Sequence, residues 1–235
     1  MAQAIWPAST AHSSDLRGSY LTTELQDYLL KNLIHEPAAL AQIRRRSVKR
    51  GLPPWSIGPM EGKILEFLTR SVNAKKAVEI GTLGGYSAAW IALGLGSKGR
   101  LWSLERDDRF AREARENLKR AGLQSKVEIV VDDALPALSR LSSQGPFDLC
   151  FIDADKINYA RYGQWAAKNV RSGGLIIADN AYLFGKLHLP PALAEEEGPA
   201  VPSMRGLLKL LADKKYFSSC SMIPTGEGLA VGVRK

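Results

Sequence analysis

Between Lys76 and Ala178 apolar, strand-like runs alternate with helix-like runs, and this rhythm restricts the fold more than any other feature of the chain. The strand-like runs are 76–80, 100–104, 126–131, 147–152 and 174–178. The helix-like runs between them are 86–95, 107–121, 134–142 and 157–170. Alternation at this spacing predicts βαβ units, hence an α/β fold with a mainly parallel sheet and helices on both faces. Gly122 stands where a C-cap glycine would end the second of these helices. Arg171-Ser172-Gly173-Gly174 reads as the turn into the fifth strand.

The flanks have a different grain. Tyr20 to Ile34 carries Leu21, Leu25, Tyr28, Leu29 and Leu33 at roughly helical spacing, which predicts an amphipathic helix. Pro37 suits the first turn of a second helix reaching about Lys49, with the basic cluster Arg44, Arg45, Arg46, Lys49 and Arg50. Gly51-Leu52-Pro53-Pro54 stops it. Pro59 starts a third helix, whose apolar side is read as Ile64, Leu65, Phe67 and Leu68. After Asn180, residues 181–202 hold four prolines and the run Glu195-Glu196-Glu197, a loop of the kind that forms functional lids or stays disordered. For the stretch 188–202 within it, a lid on the substrate side is the expectation. A helix from about Ser203 to Lys214 follows, then strands Tyr216 to Ile223 and Leu229 to Arg234. Their short link, Thr225-Gly226-Glu227-Gly228, makes them an antiparallel pair. The expected organisation is a flexible arm over 1–18 and one domain over 19–235, with a helical cap at 19–73 and a cofactor-binding core at 74–235.

Composition bounds the class. The chain has 235 residues, 45% hydrophobic and 24% charged, as in a soluble globular protein. No apolar run approaches the ~20 residues that span a bilayer. The first residues lack the basic and apolar regions of a signal peptide, so a cytoplasmic protein is expected. Cys150 and Cys220 lie in apolar, strand-like surroundings and read as buried reduced thiols. His12, His35 and His188 are scattered without metal-ligand spacing. A net charge of +8 fits either an anionic partner or a merely basic surface.

The chemistry concentrates where the strand-like runs end. KAVEIGTLGGYS, Lys76 to Ser87, is a strand, a glycine-rich turn and a helix start, the entry to a nucleotide-type site. Gly81, Gly84 and Gly85 do not form the G-x-G-x-x-G dinucleotide fingerprint. Glu79 would repel a pyrophosphate but suits a cofactor with a positive amino group, such as S-adenosyl-L-methionine. Glu105, ending the second strand, is placed to accept hydrogen bonds from ribose hydroxyls, as in nicotinamide and S-adenosylmethionine sites alike. Asp133-Ala134 follows the third strand, where an adenine would lie or a solvated turn would sit. FIDADK, Phe151 to Lys156, ends the fourth strand, and Asp179-Asn180 ends the fifth. Neighbouring parallel strands would gather Asp153, Asp179 and Asn180, three hard oxygen ligands suited to Mg²⁺ or a similar divalent ion.

VEIGTLGGYSA, FIDADK and IIADNAYLFG together resemble the class I, metal-dependent O-methyltransferases of the catechol and caffeoyl-coenzyme A group, over residues 20 to 235. The resemblance implies a Rossmann-like seven-stranded methyltransferase sheet, mainly parallel, with an antiparallel last strand and a helical N-terminal extension. It implies S-adenosyl-L-methionine contacts at Ile57, Glu79, Gly81, Thr82, Ser87, Glu105, Ala134, Asp153 and Asp155. It implies Mg²⁺ (or another divalent cation such as Ca²⁺ or Mn²⁺) at Asp153, Asp179 and Asn180, with Lys156 as the catalytic base. The implied reaction is methyl transfer to a hydroxyl of a catechol-like or other vicinal-diol phenol, in a homodimer. The segment Ser56 to Met60, Leu183 and the stretch 188–202 depart from the plant pattern on the substrate side. A tRNA hydroxyuridine acceptor is the alternative within the family, favoured by net charge and by the Arg44–Arg50 cluster. The missing dinucleotide fingerprint argues against a nicotinamide-dependent oxidoreductase.

Overall fold

The strands β1 (Lys76–Ile80), β2 (Arg100–Glu105), β3 (Val127–Val131), β4 (Phe147–Ile152), β5 (Val170–Ala178), β6 (Phe217–Ile223) and β7 (Leu229–Arg234) join in one sheet. Its order in this computed structural model is β3-β2-β1-β4-β5-β7-β6. The first five strands run parallel. The chain returns through β6 and inserts β7 between β5 and β6, antiparallel to both. The structure describes residues 22–235, so the arm expected over 1–18, His12 and the start of the helix expected from Tyr20 lie outside the described residues.

Contacts divide the chain into two units, one ending at His35 and one spanning Glu36–Lys235, so the segment expected as a helical cap is shared between them. The first unit holds helix α1 (Thr23–Leu29), capped by Thr22, whose hydroxyl accepts from Leu25 N. A wider π-helical turn, Leu30–Ile34, continues it to His35, whose φ of 49° ends the helix.

In the second unit the helices are α2 (Ala38–Lys49), α3 (Pro59–Ser71), α4 (Tyr86–Gly94), α5 (Asp108–Arg120), α6 (Ala134–Leu141), α7 (Tyr159–Asn169), α8 (Pro191–Glu196) and α9 (Ala200–Leu211). Central strand β1 is covered on both faces, so Ala77, Val78, Glu79 and Ile80 are all fully buried. Helix α4 packs against α3 as well as β2, and Ala88 to Ala92 are wholly inaccessible in consequence. Leu65 is the inner residue of α3. Phe67 is not on that side: two helical steps of about 100° turn it away from Leu65, and it is exposed. The turn expected at 171–174 lies inside β5. The pairing jumps from Phe147↔Val170 to Leu149↔Leu175, so the surplus residues bulge, with Gly173 at φ 72°. Arg171 fixes the bulge by donating to Asp148 Oδ1 at 2.5 Å and to Val72 O at 3.0 Å.

Residues 188–202 are folded rather than loose. Arg205 of α9 donates to the carbonyls of Leu187 and Leu189, and Ala194 of α8 is buried. Both cysteines are free. Cys150 is buried as expected, but Cys220 is exposed, because β6 is the sheet edge and its outer side chains meet solvent. Among the described residues no helix is long and apolar enough to cross a membrane.

Candidate active site

The parallel ladder continues past the strand ends and sets the floor of a cavity. Gly81 N donates to Leu104 O at 3.0 Å, Asp153 N to Ile80 O at 2.9 Å, and Asp179 N to Ile152 O at 3.0 Å. The residues following β1, β4 and β5 therefore stand side by side. Gly81 has φ 101°, and a Cβ there would lie 1.9 Å from the Asp153 carbonyl oxygen, so only glycine fits this approach. The cavity above has a volume of about 1010 Å³. Ile57, Gly81, Thr82, Ser87, Glu105, Ala134, Asp153, Asp155, Lys156, Asp179 and Asn180 all line it. These expected site residues, from six separate stretches of chain, are thus brought together.

Glu79 is not on that wall but fully buried beneath it. Its carboxylate accepts the Ser103 hydroxyl, and Ser103 lies 2.5 Å from the Thr82 hydroxyl. The other oxygen, Oε1, has no hydrogen-bond partner among the described residues. Burial pushes this carboxyl up to about 8, opposed by the Ser103 and Ser87 hydroxyls and reinforced by the charges of Asp153 and Glu105. Glu105 is held in place from two sides. Leu83 N donates to Oε2 at 2.8 Å and Asp107 N to Oε1 at 2.9 Å. Asp155 is similarly fixed, by the Tyr162 hydroxyl at 2.5 Å and the Asn158 amide at 2.6 Å.

Next along the chain, Lys156 Nζ donates to Asp153 Oδ1 at 3.0 Å and to Tyr159 Oη at 2.7 Å. Asp179 is buried, and its Oδ1 finds no partner among the described residues. Burial, then the charge of Asp153, raises its carboxyl above the ordinary range. Asn180 follows in the left-handed region, at φ 51°. Among the described residues no group of three His, Cys, Asp or Glu side chains is placed to hold a metal. The candidate set here is two carboxylates and an amide.

Tyr86 opens α4 and lines the cavity. Its hydroxyl donates to Glu36 Oε1 at 2.5 Å, and Arg44 grips the same carboxylate at 2.8–3.1 Å. Much of the basic cluster is thus spent within the fold, since Arg46 likewise pairs with Glu113 at 2.7 Å. Residues 188–202 do not line the cavity, which corrects the expectation of a lid there; Arg205 ties the preceding turn to α9 instead. Trp55 and Phe184, both exposed, stand at its rim, with Glu61 and Glu227 also on the wall.

Sequence reasoning missed Ser103 and Tyr159. A serine inside the apolar run Leu101 to Leu104, on the same strand face as Glu105, was the available signal for the first. A tyrosine three residues after Lys156, at the start of a helix, was the signal for the second.

The O-methyltransferase family profile matches residues 31–235. A catechol O-methyltransferase of Mycobacterium tuberculosis is 38% identical over 203 residues, 86% of this chain and 90% of that protein. A catechol O-methyltransferase of Niastella koreensis is 41% identical over 167 residues, 70% of this chain and 76% of that protein. The crystal structure of an O-methyltransferase from Bacillus cereus in complex with SAH superposes with a TM-score of 0.83 at 33% identity, covering 91% of this chain and 98% of that one.

Proposed function

Because the chain belongs to the O-methyltransferase family, we propose that it moves the methyl group of S-adenosyl-L-methionine onto a phenolic hydroxyl of a small catechol-like acceptor, with a divalent cation such as Mg²⁺ at Asp153, Asp179 and Asn180. The observation that carries the reading is the unpartnered, buried oxygen of Asp179, on a cavity wall shared with Asp153 and Lys156. Burial raises the Asp179 carboxyl first and the charge of Asp153 raises it further, and a cation between the two carboxylates would relieve that repulsion. The residues therefore fit a hard divalent ion. The donor fits too: the orphan Glu79 oxygen lies beneath the turn at Gly81, Thr82 and Ser87, and offers negative charge toward an amino group or sulfonium.

Each residue then has a physical task. Glu105, pre-oriented by two backbone donors, keeps lone pairs for the ribose hydroxyls. Gly81, Thr82 and Ser87 line the methionine end, Ile57 and Asp155 border it, and Ala134 opens α6 on the adenine side. Bound at Asp153, Asp179 and Asn180, the cation supplies the positive charge that makes a phenolic oxygen easier to ionise. Lys156 Nζ, acting as the neutral amine, takes the hydroxyl proton and becomes the ammonium. The acceptor oxygen bonds to the methyl carbon as the S–CH₃ bond breaks, and the electron pair stays on sulfur, giving a methyl ether and S-adenosylhomocysteine. Fixed side chains contribute by holding the two substrates in line.

Acids outnumber bases on the cavity wall, where Glu61, Asp132, Asp133 and Glu227 join the residues already named and, among the described residues, only Arg106 and Lys156 are basic. That wall, and the internal pairing of Arg44 and Arg46, favour a small acceptor over a tRNA. The test is a methyl-transfer assay on catechol and on bulk tRNA, with Mg²⁺ and after chelation. Catechol methylation lost on chelation and restored by Mg²⁺ is expected; full activity in the chelated enzyme overturns the cation assignment.

A further inference from the structure

Lys156 has four rotatable side-chain bonds, and a base works only if its nitrogen waits at one point. Two tethers hold that nitrogen here: Asp153 Oδ1 at 3.0 Å and Tyr159 Oη at 2.7 Å. Nζ also lies 4.8 Å from the centroid of the Tyr159 ring. Resting on the reading of Lys156 as the base, we propose that Tyr159 is its positioning residue, the fixed post that keeps Nζ aimed at the acceptor hydroxyl.

Tyr159 is suited to the task by burial. Its side chain is wholly inaccessible and packs in the main core, with Tyr162 beside it. Packing alone asks for a ring of this volume, which phenylalanine would supply. The hydroxyl needs a separate reason. Its other contacts are the Ala154 backbone and the Ile152 carbonyl at 3.4 Å, the latter long for an O–H···O bond. The short contact is the one to Lys156. The geometry is set locally: Lys156 opens the 3-10 turn Lys156–Asn158 and Tyr159 begins α7, so a spacing of three puts ammonium and hydroxyl on the same side.

The two tethers are not equivalent. Asp153 is also a proposed cation ligand, and an oxygen that serves a divalent ion gives up part of its hold on an ammonium. Tyr159 has no such second duty. With the cation site filled, it is the tether that remains, and its rigid ring passes the order of the core to a flexible side chain.

Tyr159→Phe removes the hydroxyl and keeps the ring. The expected result is a kcat lowered about ten- to a hundredfold, the worth of one hydrogen bond to a charged group. KM for the phenolic acceptor and Kd for S-adenosylmethionine should stay within about twofold, because Tyr159 touches neither. The deciding measurement repeats the substitution in the Lys156→Ala background. If Tyr159 acts through Lys156, Tyr159→Phe changes the residual rate there by less than about twofold. An equal loss in both backgrounds, or an unchanged kcat in the single variant, overturns the proposal. Full activity of Lys156→Ala alone would instead refute Lys156 as the base, so the two failures are told apart.

Discussion

Ser103 Oγ donates its proton to the fully buried carboxylate of Glu79, across the gap between β2 and β1. The strands pair in register, with Glu79 opposite Ser103, so the contact is fixed by the sheet itself. It is the only side-chain hydrogen bond from a neighbouring strand that the described residues give this acid, and it leaves Oε1 free to attract a cation.

Ser103→Ala should therefore weaken S-adenosylmethionine binding without touching the acceptor side. Loss of a hydrogen bond to a buried charge costs about 1.5–3 kcal/mol, or roughly ten- to a hundredfold in Kd. Isothermal titration of the donor checks this. Unchanged donor affinity would mean that the Ser103 contact has no part in donor binding.

The same acid makes a pH prediction. Free Glu79 has its carboxyl raised from 4.5 to about 8, so between those values the folded state holds a proton that the unfolded state has lost. Stability must then fall as pH rises through this window, by a few kcal/mol at most. Asp179 is raised too and adds the same sign. The lowered acids Asp148 and Glu66 act with the opposite sign, below their ordinary values of 3.8 and 4.5, and so outside this range. Binding a cationic donor should expel the Glu79 proton, and donor affinity should rise with pH up to about 8. Melting curves across about pH 5 to 9 test the first statement. Titrations in buffers of different ionisation enthalpy test the second, and Glu79→Gln should remove the proton release.

Asp179→Asn tests the cation site through stability as well as rate. In the metal-free protein it removes a buried charge, one of whose oxygens has no hydrogen-bond partner among the described residues, so the melting temperature should hold or rise. Methyl transfer should fall at least about a hundredfold, since one of two anionic ligands is gone. Added Mg²⁺ should raise the melting temperature of the parent protein and leave that of the variant unmoved. Equal Mg²⁺ stabilisation of both would remove Asp179 from the site.

What the sequence made legible follows from how each signal arises. Strand-end acids were readable because a parallel sheet presents the ends of neighbouring strands at one edge, so Asp153 and Asp179 had to meet once β4 and β5 paired. The closing antiparallel pair was readable from its short link. Ser103 was not, since its function depends on which residue of β1 lies opposite, and register is a property of the sheet rather than of either strand. The bulge in β5 looked like a turn because Gly173 and Gly174 are turn residues. Only the pairing to β4 shows that the strand resumes on the same line. Residues 188–202 looked loose because prolines and acids carry no core pattern, while the clamp that folds the turn before them comes from Arg205, beyond the segment.

Gly81→Ala is the sharpest test of the site's backbone. At φ 101° an L side chain is strained in any surroundings, at a cost of about 1–3 kcal/mol. Here the added Cβ would also sit 1.9 Å from the Asp153 carbonyl oxygen, which is backbone and cannot swing aside. Relief requires β1 and the chain after β4 to separate, which breaks the bond from Asp153 N to Ile80 O. The expected loss is thus above about 3 kcal/mol, outside the range of an ordinary substitution. Chemical denaturation measures it, and the control is Gly122→Ala: also at positive φ, 72°, but with nothing within 4 Å of the added atom. If the two variants lose equal stability, backbone strain alone accounts for Gly81, and the close approach to Asp153 contributes nothing. A larger loss at Gly81 means that the turn after β1 and the end of β4 are held at contact distance, and that moving one moves the other.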